Sequence, residues 1–78
     1  MKLKIIKPDS TLYEGEARLV QLPGTGGLFE IMNNHAPIIS ALAAGNVRVV
    51  ISDSDTRLFP INGGVIKCRS NEILVLAQ

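Results

Sequence analysis

An all-β fold, an antiparallel sandwich or barrel, is what this sequence predicts. Three observations carry that prediction. Apolar and polar residues alternate with period two in several segments, clusters of turn-forming residues separate those segments, and seven or eight such segments fit within 78 residues.

From Lys2 to Lys7, Leu3 and Ile5 fall on one side and Lys2 and Lys4 on the other, the pattern of a half-buried strand. Pro8-Asp9-Ser10 reads as a turn, because proline fixes φ and the Asp and Ser side chains bond local backbone. Thr11 to Leu22 is expected to be one long strand, with Glu14, Glu16 and Arg18 on one face and Tyr13, Ala17 and Leu19 on the other. Leu19 and Val20 are both apolar, so the alternation slips near Val20; a bulge or a crossing to a second sheet would cause such a slip.

Pro23-Gly24-Thr25-Gly26-Gly27 is a loop, and Leu28 to Met32 a short strand with Phe29 and Ile31 facing one way. Asn33-Asn34-His35-Ala36-Pro37 is a second loop. Val47 to Ile51 and Arg57 to Asn62 are strands joined by the polar turn Ser52-Asp53-Ser54-Asp55. Gly63-Gly64 signals a hairpin or bulge, and Val65 to Arg69 and Ile73 to Ala77 are the last two strands, with Ser70-Asn71 between them and Asn71 suited to a left-handed turn. One segment stays open. Ile38, Ile39 and Leu42 have helical spacing, Pro37 suits a first helical position and Gly45 a stop, so local propensity mildly prefers a short helix over Pro37 to Ala44. So short a helix needs tertiary support, and every neighbouring segment is a strand. On the residues alone, helix and strand both stand.

Hydrophobic residues make up 46% of the chain and charged residues 19%, too apolar for a disordered tail. One small domain spanning residues 1–78 is expected. A net charge of +1 with scattered cations gives no footprint for nucleic acid. Cys68 is the single cysteine, which rules out an intrachain disulfide. The N-terminus lacks the apolar run of a signal peptide, and no stretch approaches the ~20 apolar residues of a membrane-spanning helix. The expectation is a chain in a reducing, cytoplasmic compartment that meets a membrane only through a partner, without insertion.

Catalytic material is scarce. His35 is the single histidine, so a His/Cys metal site has too few ligands. Asp53 and Asp55 could touch a cation but read as a solvated turn. Cys68, between Lys67 and Arg69, should point with Ile66 to the opposite face and be buried and inert. Gly24-Thr25-Gly26-Gly27 precedes a strand, not a helix, and has no nearby lysine, so it reads as a turn and not a phosphate loop. His35 reads as an exposed loop residue that either orders local backbone or meets a partner. No catalytic, cofactor-binding or metal residues are expected, and no enzyme; the chemistry points to a surface that binds other proteins.

The run Gly-Leu-Phe-Glu-Ile-Met-Asn-Asn-His-Ala-Pro-Ile-Ile, Gly27 to Ile39, resembles the epsilon chain of bacterial F-type ATP synthases, a family with Gly-x-Phe/Leu-x-Ile-x-x-x-His-Ala-Pro at this point. Lys4 to Asp9 with Leu12 to Gly15 is similar to the family's first hairpin. Ala44 to Val49 matches its glycine-then-strand segment, and Gly63-Gly64-Val65 with Ile73 to Ala77 its closing hairpin. The resemblance implies a flattened sandwich of two antiparallel sheets with roughly eight to ten short strands, and makes Pro37 to Ala44 a strand. It implies a non-catalytic rotor subunit at the foot of the central stalk. The subunit would bind the gamma subunit and the membrane ring of c subunits, reach the catalytic head only indirectly, and help couple proton or sodium flow to ATP synthesis on the cytoplasmic face of the bacterial plasma membrane. Its ring-facing edge would be the segment from Glu30 to Pro37: Glu30, Asn33, Asn34, His35, Ala36 and Pro37, with His35 foremost. Leu28 stands where some relatives carry an acidic residue, so Glu30 would have to supply any charge-based ring contact. Many relatives continue into two C-terminal helices, whereas this sequence stops at Gln78, so either a naturally short form or one whose remainder was removed is expected, in both cases without the inhibitory helical hairpin. Against the rotor reading stands a free-standing sandwich that binds some other protein; co-purifying partners separate the two.

Overall fold

The alternating segments become nine strands in the computed structural model, which describes residues 1–78, and no segment is helical. They are β1 Lys2–Lys7, β2 Ser10–Glu16, β3 Leu19–Gly24, β4 Gly27–Met32, β5 Ile38–Leu42, β6 Gly45–Ser52, β7 Asp55–Ile61, β8 Gly64–Arg69 and β9 Glu72–Ala77. One layer runs β2-β1-β9-β8-β5 and the other β4-β3-β6-β7. A single pairing, Gly24 with Leu42, joins β3 to β5 and makes the sheet continuous. On the opposite side the edge strands β2 and β7 meet through side chains. The Tyr13 and Phe59 rings lie 5.9 Å apart at 53°, and the Arg57 guanidinium lies 5.8 Å from the Tyr13 ring centre. The result is a nearly closed sandwich.

Inward residues of both layers form one core of 16 buried side chains, with Leu3, Ile5, Val20, Leu22, Ile31, Val47, Val49, Ile66 and Val75 fully enclosed. Cys68 lies in this core beside Ile66's face, as its alternation predicts, and burial pushes its thiol pKa up. Pro37 to Ala44 holds strand β5, paired with β8 from Ile38–Cys68 to Leu42–Gly64. Its helical spacing loses because an isolated turn of helix gains little, whereas the ladder to β8 satisfies the backbone and buries Leu42.

Three expectations need correction. Thr11 to Leu22 is not one strand: it breaks at Ala17-Arg18, where the chain crosses between layers. Ala17 N–H donates to Met1 O at 2.9 Å in the first layer, and Arg18 N–H donates to Val50 O at 2.8 Å in the second. That crossing is the cause of the apolar slip, since Val20 faces the core of the new layer and Leu19 faces out. Gly63-Gly64 does not turn a hairpin, because β7 pairs with β6 while β8 pairs with β5 and β9; it carries the chain between layers. Finally, the sheet is not wholly antiparallel, since β1 and β9 pair in parallel from Lys2–Glu72 to Ile6–Leu76. Period-two alternation fixes a strand's faces but not its neighbour's direction.

Candidate functional site

The strand directions collect Met1, Ala17-Arg18, residues 33–37, Asp53-Ser54 and Ser70-Asn71 at one end of the sandwich. This end contains five of the six residues read as the ring-facing edge. Asn33, Asn34, His35, Ala36 and Pro37 form the exposed β4–β5 loop. Glu30 is separate: it lies within β4 and is exposed on that layer's outer surface, where it accepts a 3.4 Å hydrogen bond from Gln21 Nε2 across the strand pair.

The loop is held by side chains. Asn33 Oδ1 accepts from the Met1 amino group at 2.6 Å, and the same group donates to Ala17 O at 3.1 Å and lies 3.4 Å from a Glu16 carboxylate oxygen. Asn34 has φ of 64°, a left-handed conformation that asparagine tolerates better than most residues. Its N–H donates to Asn71 Oδ1 at 2.9 Å. His35 Nδ1 lies 2.7 Å from Ala36 O. A carbonyl can only accept, so Nδ1 carries a proton and His35 orders local backbone, leaving the ring's other nitrogen available to a partner. Arg18 and Asp53 pair at 2.5 Å beside the loop, both largely exposed, so the pair fixes geometry more than it adds stability.

Sequence reasoning missed Met1, Arg18, Asp53 and Asn71 as members of this end. Asn71 was recognised for its turn conformation, which is correct: Ser70 and Asn71 have φ of 53° and 59°. Its reach to Asn34, 37 residues away in the chain, had no local signal.

The outer face of the first layer is graded. Nearest the loop end, Arg69, Glu72, Lys2 and Glu16 lie in one row across β8, β9, β1 and β2, alternating in sign. Two residues further along, Ile39, Lys67, Leu74, Lys4 and Glu14 mix apolar and charged. The next row, Ala41, Val65, Leu76 and Ile6, is apolar from β5 to β1 and ends on Thr11 in β2. Ile39 is 72% exposed, Leu76 41% and Val65 38%, so this face presents contiguous apolar surface to solvent. A hollow of about 820 Å³ lies over the charged rows. It is open and lined mainly by charged residues of both signs, a shape for a surface contact and not for enclosing a small molecule. No group of three or more His, Cys, Asp or Glu side chains is placed to hold a metal ion.

The family model for the ATP synthase delta/epsilon chain β-sandwich domain matches residues 1–78. An ATP synthase epsilon chain from Chlorobium limicola is 39% identical over 99% of this chain and 88% of its own length. One from Campylobacter lari is 41% identical over all of this chain, which spans 60% of that relative. In a cryo-EM structure of the Euglena gracilis mitochondrial ATP synthase, OSCP/F1/c-ring in rotational state 1, one chain superposes with a TM-score of 0.89 over 96% of this chain and 48% of its own. At 14% identity that likeness establishes the fold, two β layers about one core. The residue patterns, the nine-strand sandwich and the full-length match agree: the chain belongs to the family of ATP synthase delta/epsilon chain β-sandwich domains.

Proposed function

We propose that this chain is the β-sandwich of a central-stalk rotor subunit of an F-type ATP synthase, linking the gamma subunit to the membrane ring of c subunits. The observation that carries the reading is the family match over the whole of residues 1–78, together with relatives named as ATP synthase epsilon chains. On this reading the end loop, Asn33 to Pro37, rests on the polar loops of the ring, with His35 foremost. Glu30, on the β4 face beside that end, is a flanking contact. The apolar row Ala41, Val65, Leu76 and Ile6, with Ile39, is the surface offered to gamma, because exposed apolar area of this kind is buried in protein interfaces.

The role is mechanical. A closed sandwich with an enclosed core resists shear, so torque applied at one end and one face passes through it without local rearrangement. The subunit itself carries out no nucleotide chemistry and acts on the cytoplasmic face of a bacterial plasma membrane as part of the complex. The test is capture of purified gamma subunit and detergent-solubilised ring by the tagged chain. Co-capture of both is expected, and the isolated chain should not turn over ATP. Capture of neither would sink the rotor role and favour a sandwich that serves another protein.

A further inference from the structure

We propose that Asn71, in the β8–β9 turn, is the positioning residue for the His35 loop, fixing its backbone through one side-chain hydrogen bond. Asn71 is bound at both ends. Its carbonyl oxygen accepts the Lys2 N–H at 3.1 Å, tying it to β1, and its side-chain Oδ1 accepts the Asn34 N–H at 2.9 Å. The turn is a rigid base. Ser70 and Asn71 both take left-handed conformations in a two-residue hairpin connection, a geometry that matches the twist of the flanking strands. Of the backbone hydrogen bonds made outside the strands, none involves residues 33–37. The loop is therefore tethered to the rest of the end by two bonds, Met1 to Asn33 Oδ1 and Asn34 N–H to Asn71. The second acts on the backbone itself, at the left-handed residue immediately before His35.

Position 71 must meet two separate demands. It must tolerate a φ of 59°, and it must present an acceptor one rotatable group beyond Cβ. Glycine meets the first demand alone. Aspartate meets both, with a carboxylate oxygen in place of the amide oxygen. Asn71→Gly therefore removes the clamp while sparing the turn, and Asn71→Asp keeps it. That the clamped loop is the one that faces the ring rests on the function proposed above; the clamp itself does not.

The test is amide hydrogen exchange on the full 78-residue chain, with Ile66 and Val75 amides as controls for the core. Loss of one net hydrogen bond predicts Asn34 exchange about two- to tenfold faster in Asn71→Gly, with wild-type rates in Asn71→Asp and unchanged core amides. Ring affinity should fall in Asn71→Gly and recover in Asn71→Asp, while gamma affinity holds in both. Unaltered Asn34 exchange in Asn71→Gly, or equal loss in both variants, overturns the clamp. If Asn71→Gly does not fold, a scalar coupling across the bond from the Asn34 nitrogen to the Asn71 side-chain carbonyl in the wild-type chain decides the matter, and its absence overturns the proposal. A wild-type chain with no ring affinity but normal Asn34 protection would instead sink the ring-facing reading and leave the clamp standing.

Discussion

The two ends of the sandwich are closed by different means. At the end opposite the loop, bonds between backbone groups do the work: Thr25 N–H to Ala41 O, Ala43 N–H to Pro23 O, Asn62 N–H to Gln78 O and Gln78 N–H to Gly63 O, from 2.7 to 3.3 Å. At the His35 end, three backbone bonds, Lys2 N–H to Asn71 O, Ala17 N–H to Met1 O and Arg18 N–H to Val50 O, are joined by side-chain bonds through Asn33, Asn71 and the Arg18–Asp53 pair. Backbone bonds are indifferent to residue type as long as the chain can adopt the conformation, whereas side-chain bonds depend on the residue that makes them. One end is thus specified by conformation, the other by conformation and chemical identity together, and the second is the end proposed to meet the ring.

The largest effect tests whether both ends rim a single closed core. Cys68 is 4% exposed, and burial raises its pKa. A thiol reagent should label it at least about a hundredfold more slowly in the folded chain than in denaturant, because labelling must await opening. The raised pKa means the folded state favours the neutral thiol. That stabilisation is complete below the thiol's unfolded pKa and is lost as pH rises through the folded value, so stability should fall on the alkaline side. Prompt labelling at neutral pH would show the core open beneath one end.

Next in size is the conformational end. Gly64 has φ of 150°, and a Cβ there would fall on the Leu76 carbonyl oxygen. Gly64→Ala should cost about 3 kcal/mol or more and lower Tm by more than about 10 °C in a thermal melt. A near-neutral result would mean that this end can rearrange.

The His35 end should respond more gently. Asn34→Ala places a residue with no local hydrogen-bonding side chain at φ of 64° and should cost about 1 kcal/mol in denaturant titration, while Asn34→Gly stays within about 0.5 kcal/mol of wild type. Smallest of all is Arg18→Ala, which breaks an exposed ion pair and should change stability by less than about 0.5 kcal/mol, with that small effect weakening further in high salt.

Much of this architecture could be read from local pattern. The alternation in Lys2–Lys7 and Ile73–Ala77, the inward Cys68 and the left-handed Asn71 all follow from neighbours one or two residues away, where sterics and burial act directly. The slip at Leu19-Val20 was visible, and its cause, a crossing between layers, was among the readings it allowed. What local pattern could not supply was pairing: the parallel β1–β9 ladder, the corner at Gly63-Gly64 and the Asn34–Asn71 bond each join residues distant in the chain. The β5 segment was ambiguous for the same reason, since its ladder to β8 decides what its own spacing does not. The candidate loop was legible as a loop with an outward His35, but the groups that hold it, the Met1 amino group and the Asn71 side chain, lie on two other segments.

Cross-linking within the assembled complex tests the central claim most directly, by setting the two ends against each other. Cysteine would be placed at His35→Cys on one end and at Thr25→Cys in the exposed β3–β4 turn on the other, with buried Cys68 silent in both. The position 35 cysteine should cross-link to the polar loops of the c-subunit ring and the position 25 cysteine should not. Cross-linking from position 25 alone, or from neither position in a complex that contains the chain, would contradict the assignment of the His35 end to the ring.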